Sequence, residues 1–191
     1  MLALFSHGAS GMALKSIIYK AELQVSDLDR HYYATHALTI ARHPSETDER
    51  MMIRLLAFAL HAQESLAFGK GLCVDDEPDL WDKDLTGAIV HWIDVGQPDE
   101  RWILKACGRA RRVTVYSYAA ASHIWWNQLG GKLERARNLE VFNIPAATSQ
   151  ALAALAQRTM RLTCTIQDGQ VWMAGDDTVH IEPVVLKRLA D

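Results

Sequence analysis

Apolar and polar residues alternate along 15–26, KSIIYKAELQVS, the period of a half-buried strand. Asp27-Leu28-Asp29-Arg30 reads as a turn, and 31–42, rich in Tyr, Thr and Ile, predicts a second strand and so a hairpin. His43-Pro44-Ser45-Glu46-Thr47-Asp48 is a helix-start signal, with Ser45 as cap and Asp48 three residues on. The helix is expected to run to about Phe68, before Gly69-Lys70-Gly71. A loop follows with Asp75, Asp76, Glu77, Asp79, Asp82 and Asp84. Residues 86–95 are apolar on both faces, as in a central strand. Pro98 opens the next helix, with Asp99 and Glu100 in its first turn and Arg109 and Arg111 near its end, matching the helix dipole. Residues 112–118 predict a buried strand, 122–132 a helix, 139–144 a strand and 146–158 an alanine-rich helix. Strands at 160–167 and 170–174 flank a turn at Asp168-Gly169, and 180–186 predicts a last strand. The strand–helix–strand unit over 86–118 implies a parallel pair with a right-handed crossover. The expected architecture is α/β (α+β), a central mixed sheet flanked by helices.

Bulk properties narrow the function classes. The 191 residues suit one domain, and a domain of this size buries about 70% of its unfolded surface without disulfide staples. The net charge of −3 confines any nucleic-acid binding to a local patch. Cys73, Cys107 and Cys164 form no C-x-x-C pair, which argues against a zinc ribbon and for reduced thiols in a cytoplasmic protein. Residues 1–11, MLALFSHGASG, lack a basic n-region and are expected to be a disordered leader, with a single domain over 12–191. No segment is apolar for long enough to cross a bilayer, so no membrane partner is expected. Phosphate-cradling glycine motifs and a G-x-S-x-G elbow are absent.

Four positions carry candidate chemistry. Glu49 aligns on a helical wheel with Ile53, Leu56 and Leu60, while Arg50, Arg54 and His61 fall on another face. A core-facing carboxylate needs a partner, and an arginine or the helix N-terminus is the commoner one. Pro78 delivers Asp79 rigidly, yet alone Asp79 is a loop acid among several. Asp94 shares a face with Val90 and Trp92 and ends a central strand, where open α/β sheets keep their sites; capping the next helix is the plain alternative. Converging acids would hold a hard cation, Mg²⁺ or Mn²⁺. Arg101, Lys105 and Arg109 recur every four residues as one basic stripe, usually a solvated face. The scattered histidines show no recognised ligand spacing and read as structural, and Trp125-Trp126 as core before stacking surface.

The segments HPSETDERMMIRLLAFALHA, EPDLW…DLTGAIVHWIDVGQPDE and RVTVYSY resemble the YaeQ family of bacterial proteins, from about Met12 to the C-terminus. The resemblance implies a cytoplasmic protein with a PD-(D/E)xK restriction-endonuclease-like core, an added N-terminal hairpin and added C-terminal strands. It implies that Glu49 stands for the helix glutamate, Pro78-Asp79 for the Pro-Asp pair and Asp94 for the motif acid. The Val95 carbonyl is then a further metal contact. The motif lysine falls at Gly96 and is missing, and Lys105 on the next helix is the candidate replacement. The expected site is therefore Glu49, Asp79, Asp94 and the Val95 backbone for metal, Asp94 and Lys105 for catalysis, and Arg101 and Arg109 for nucleic-acid phosphates. Two functions follow from it: a metal-dependent nuclease or phosphodiesterase on DNA or RNA, or a non-catalytic nucleic-acid-binding or transcription-linked regulatory module.

Overall fold

The structure, a computed structural model, describes residues 16–70 and 76–190. The leader expected over 1–11, Cys73 and Asp75 lie outside the described residues. Strands β1 (Ile17–Asp27) and β2 (Tyr32–Arg42) form the expected hairpin, paired from Ile17↔Arg42 to Asp27↔Tyr32. The alternation in β1 buries Tyr19, Ala21, Leu23 and Val25 on one face. Then come α1 (Asp48–Leu60), β3 (Leu66–Phe68), β4 (Leu80–Lys83), β5 (Ile89–Val95), α2 (Glu100–Arg109) and β6 (Ala110–Tyr118). The remainder is α3 (Ser122–Leu129), β7 (Leu139–Ile144), α4 (Ala146–Ala154), β8 (Thr159–Gln167), β9 (Gln170–Ala174), β10 (Thr178–Ile181) and β11 (Val184–Lys187). Among the described residues no helix is long and apolar enough to cross a membrane.

The strands make two mixed sheets, where the local pattern led us to expect one. The first runs β10-β9-β8-β1-β2 and the second β11-β7-β6-β5-β4-β3. In the first sheet β1 lies parallel to β8; in the second β5 and β6 are parallel, as the crossover over 86–118 predicted, and β7 adds in parallel to β6. The tail run over 180–186 is split, β10 joining the first sheet and β11 the second. One core joins the inner faces of both sheets to α1 and α4, with Leu23, Leu162, Leu56, Leu152, Ile93 and Tyr116 among its members. A second core packs α2 and α3 on the far face of the second sheet, around Trp92, Ile103, Val113, Val115 and Leu133.

The structure departs from the expected elements at four points. Helix α1 lies between the sheets, so Met51 to Ala59 are all buried, Arg54 included; a helix covered all round has no solvent face for a wheel to find. Its cap is Thr47, whose side chain accepts from the Arg50 amide, whereas Ser45 bonds the ring of His43. It ends at His61, not Phe68, because Leu66–Phe68 finds a ladder partner in β4, a strand hidden in the acid-rich loop. Likewise Asp99 caps α2 by accepting from the Trp102 amide, and the helix starts at Glu100, two residues after Pro98, which was expected to open it.

Candidate functional site

The N-terminus of α1 faces the C-terminal end of β5, and four charged side chains meet there. Glu46 is buried and accepts from Arg50 Nη1 at 2.9 Å and from Arg54 Nη1 at 3.0 and 3.1 Å. Asp79, also buried, accepts from Arg50 Nη2 at 2.8 Å and from the Val95 amide at 2.8 Å. Arg54 Nε lies 3.4 Å from its other oxygen. Arg50 Nη2 donates in addition to the Val95 carbonyl at 3.2 Å. Two guanidiniums thus face two carboxylates, a neutral quartet in which all but Arg50 are buried. Burial pushes the Asp79 carboxyl upward, and the charges of Arg50 and Arg54 pull against it. Gly69 lets β3 approach this turn: its amide donates to the Asp79 carbonyl, and a side chain there would collide with the Pro78 carbonyl.

Asp94 points to the other face of β5, as the period of two requires for a neighbour of Trp92. Its Oδ2 accepts from Trp92 Nε1 at 2.8 Å and Trp102 Nε1 at 2.7 Å. Burial, then the nearby charge of Asp79, raise its pKa to about 7, against the pull of the two indole N–H groups. Each indole also carries a cation: Arg109 lies 5.4 Å from the Trp92 ring centroid and Lys105 5.3 Å from that of Trp102. Both cations pair with Asp76, Arg109 at 3.4 Å.

The expected site residues are therefore gathered in part. Asp79 and the Val95 carbonyl meet at Arg50 at the end of β5, and Asp94 lies at the same strand end with its carboxylate on the opposite face, held by Trp92 and Trp102. Glu49 turns toward α4, where Ser149 Oγ donates to it at 2.5 Å. Lys105 reaches the acids only through Trp102, and its ammonium is held by Asp76. Arg101 and Arg109 are exposed on α2. At Gly96, φ is 112°, a backbone state that favours glycine, and its amide donates to the Tyr116 carbonyl. The strand leaves the sheet in a shape that resists a lysine there. The meeting of Glu46 and Asp79 with Arg50 and Arg54 was not expected: the two arginines, four apart, share one line of α1, but Glu46 lies before the helix cap and its partners emerge only on folding. Trp92 and Trp102 gave no polar signal, since an indole donor is visible only once its acceptor is placed.

These features define an α+β protein of two mixed sheets, with a polar centre where a buried helix meets the end of a central strand. Residues 12–183 match the family described as YaeQ protein. The chain belongs to the YaeQ family. It is 48% identical to the YaeQ protein of Escherichia coli K12 over 166 residues, 86% of this chain and 92% of that one. It is 47% identical to the Salmonella typhi YaeQ protein over 164 residues, 85% of this chain and 91% of that one. The crystal structure of the YaeQ protein from Xanthomonas axonopodis pv. citri superposes with a TM-score of 0.87 at 50% identity, covering 92% of this chain and 99% of that one. That of Pseudomonas syringae YaeQ gives 0.88 at 36% identity, covering 91% and 97%.

Proposed function

We propose that this chain is a non-cleaving nucleic-acid-binding module on a PD-(D/E)xK-like frame, in which Arg50 takes the seat of the catalytic cation. The order α1, β3, β4, β5, α2, β6, with Pro78-Asp79 opening β4 and Asp94 closing β5, supports the frame. The observation that carries the reading is Arg50 Nη2, shared between Asp79 Oδ2 and the Val95 carbonyl. Those are the atoms the nuclease pattern gives to Mg²⁺ or Mn²⁺. A guanidinium satisfies their charge but stays protonated and activates no water. The exposed face of α2 carries Arg101 together with Lys105 and Arg109, which pair with Asp76, and the adjoining Arg111, which pairs with Asp84; phosphate oxygens would take the place of those surface carboxylates.

A second reading keeps metal-dependent phosphodiester cleavage. The raised pKa of Asp94 favours it, because a carboxyl short of positive charge gains most from a bound cation. Asp79, Asp94, the Val95 carbonyl and Glu49 would then hold the ion, and Lys105 would stabilise the developing charge. Arg50 and Lys105 would first have to leave Asp79 and Asp76.

Fluorescence anisotropy with labelled DNA and RNA, cleavage assays and thermal melts with Mg²⁺ or Mn²⁺ separate the two. The binding reading expects salt-dependent affinity that drops in Arg101→Glu and Arg109→Glu and survives Asp79→Asn, without cleavage. Mn²⁺-dependent cleavage by the wild type, lost in both Asp94→Asn and Lys105→Ala, would overturn it in favour of the second. Absence of nucleic-acid binding at low salt removes both.

A further inference from the structure

A separate polar cluster sits at the opposite end of α1 and takes no part in the centre just described. It is built by His61, the C-cap of α1, by His91 on β5 and by Glu140 on β7. One donor atom from each lies within 4.8 Å of the other two. The imidazoles stand edge to face, 4.7 Å between centroids at 87°. We propose that His61, His91 and Glu140 form a binding site for one Zn²⁺-type cation, with an open coordination position.

Donor chemistry and geometry both support it. Two imidazoles and one carboxylate suit zinc and its neighbours, and three protein ligands leave a place for water or a substrate atom. Each ligand already has an orienting partner. His91 Nε2 lies 2.7 Å from Thr114 Oγ1, which donates to Glu140 at 2.5 Å. Arg112 holds the same carboxylate through Nη2 at 2.6 Å and Nε at 3.0 Å. His61 Nε2 lies 2.8 Å from the Tyr116 hydroxyl. Such outer bonds fix ring orientation around a metal. With one ring nitrogen of each imidazole held by its outer partner, the other is left to offer a lone pair to a cation.

The charge balance also asks for a cation. Asp82 on β4 sits directly across from His91 in the ladder. It is 7% exposed, and its Oδ1 is buried with no hydrogen-bond partner among the described residues. Glu140 is paired with Arg112, whereas Asp82 has no cationic side chain within salt-bridge distance among the described residues. Arg30, which also acts on His61, is itself paired with Asp27 at 2.5 Å. His61 is partly exposed and the Arg112 side chain is 43% exposed, so an ion can enter from that edge. Closing the site needs the donors to draw in to roughly 3.4 Å separations, the spacing set by metal bonds of about 2.1 Å.

The experiment is a Zn²⁺ titration of EDTA-treated, full-length protein, followed by calorimetry and by the imidazole ¹⁵N shifts of His61 and His91. The expected result is one equivalent bound, with both rings shifted at that equivalent and visible d–d bands when Co²⁺ is substituted. His91→Asn should abolish binding, and Thr114→Val should weaken it about 10–100-fold. Asp79→Asn and Asp94→Asn should leave it unchanged, which separates this site from the centre at the other end of α1. No binding, or binding that leaves both ring resonances in place, overturns the proposal whether or not the variants fold. The cluster is then a fold-bracing hydrogen-bond network.

Discussion

Asp94 shows how a residue can be legible by position and illegible by environment. Its place at the end of a central strand is readable from period and order alone. The two indoles that hold it are not, because they come from β5 and α2 and meet only when the helix packs. Its folded pKa of about 7 lies above the usual carboxylate value, so the folded state prefers the protonated form. The stability tied to that proton is complete below about pH 4 and is lost as pH rises through 7. Asp94→Asn mimics the neutral form. It should match wild type near pH 4 and exceed it at pH 8 by up to about 4 kcal/mol, at roughly 1.36 kcal/mol per unit. Urea denaturation at the two pH values measures this. Lower stability at pH 8 would mean that the ionised carboxylate braces the fold. Gly96 teaches the converse: the missing lysine was plain in the sequence, but its backbone cause, a positive φ, was not.

At the scale of elements, legibility followed locality. Strands 139–144 and 170–174 emerge with the expected bounds, since a period of two and their turn residues define them without help. Helix α1 was found but misread. Helix-favouring residues, Ala62-Gln63-Glu64, continue past Leu60, and only the pairing of β3 with β4 decides that Leu66–Phe68 is a strand. The four-residue β4 is too short for a period to register among so many acids. The start of α1 gives a direct check. Thr47 accepts from the Arg50 amide while Ser45 serves a histidine outside the helix. Thr47→Ala should cost about 1 kcal/mol and Ser45→Ala less than about 0.5 kcal/mol, read from denaturant midpoints. A larger loss at Ser45 would restore it as the cap.

For the whole molecule, the buried titrating groups act in opposite senses. Burial keeps His61 and His91 neutral, so their contribution is complete above about pH 6.5 and is lost as pH falls through the folded values, about 4 for His91. Asp79 and Asp94, raised by burial, lose theirs as pH rises. Between pH 4 and 7 the slopes oppose, and the wild-type melting temperature should vary little. His91→Asn removes one of the two imidazoles, so its melting temperature should decline with rising pH more steeply than that of wild type over this window. Parallel curves for the two proteins would refute the assignment. The split into two sheets lay beyond local reading for a related reason: each strand in the tail was recognisable, but nothing in its own residues says which sheet it joins.

The parallel pairing of β1 with β8 also orders events in time. Lys20 has its ladder partner at Thr159, near the other end of the chain. As the chain leaves the ribosome, the β1–β2 hairpin closes early, with one edge of β1 unpaired until β8 has been made. Non-local strand pairing of this kind is slow, and an open edge is a template for the wrong neighbour. The first sheet is thus begun first but completed only near the end of synthesis, and the waiting edge of β1 is where the nascent chain is exposed to misassembly.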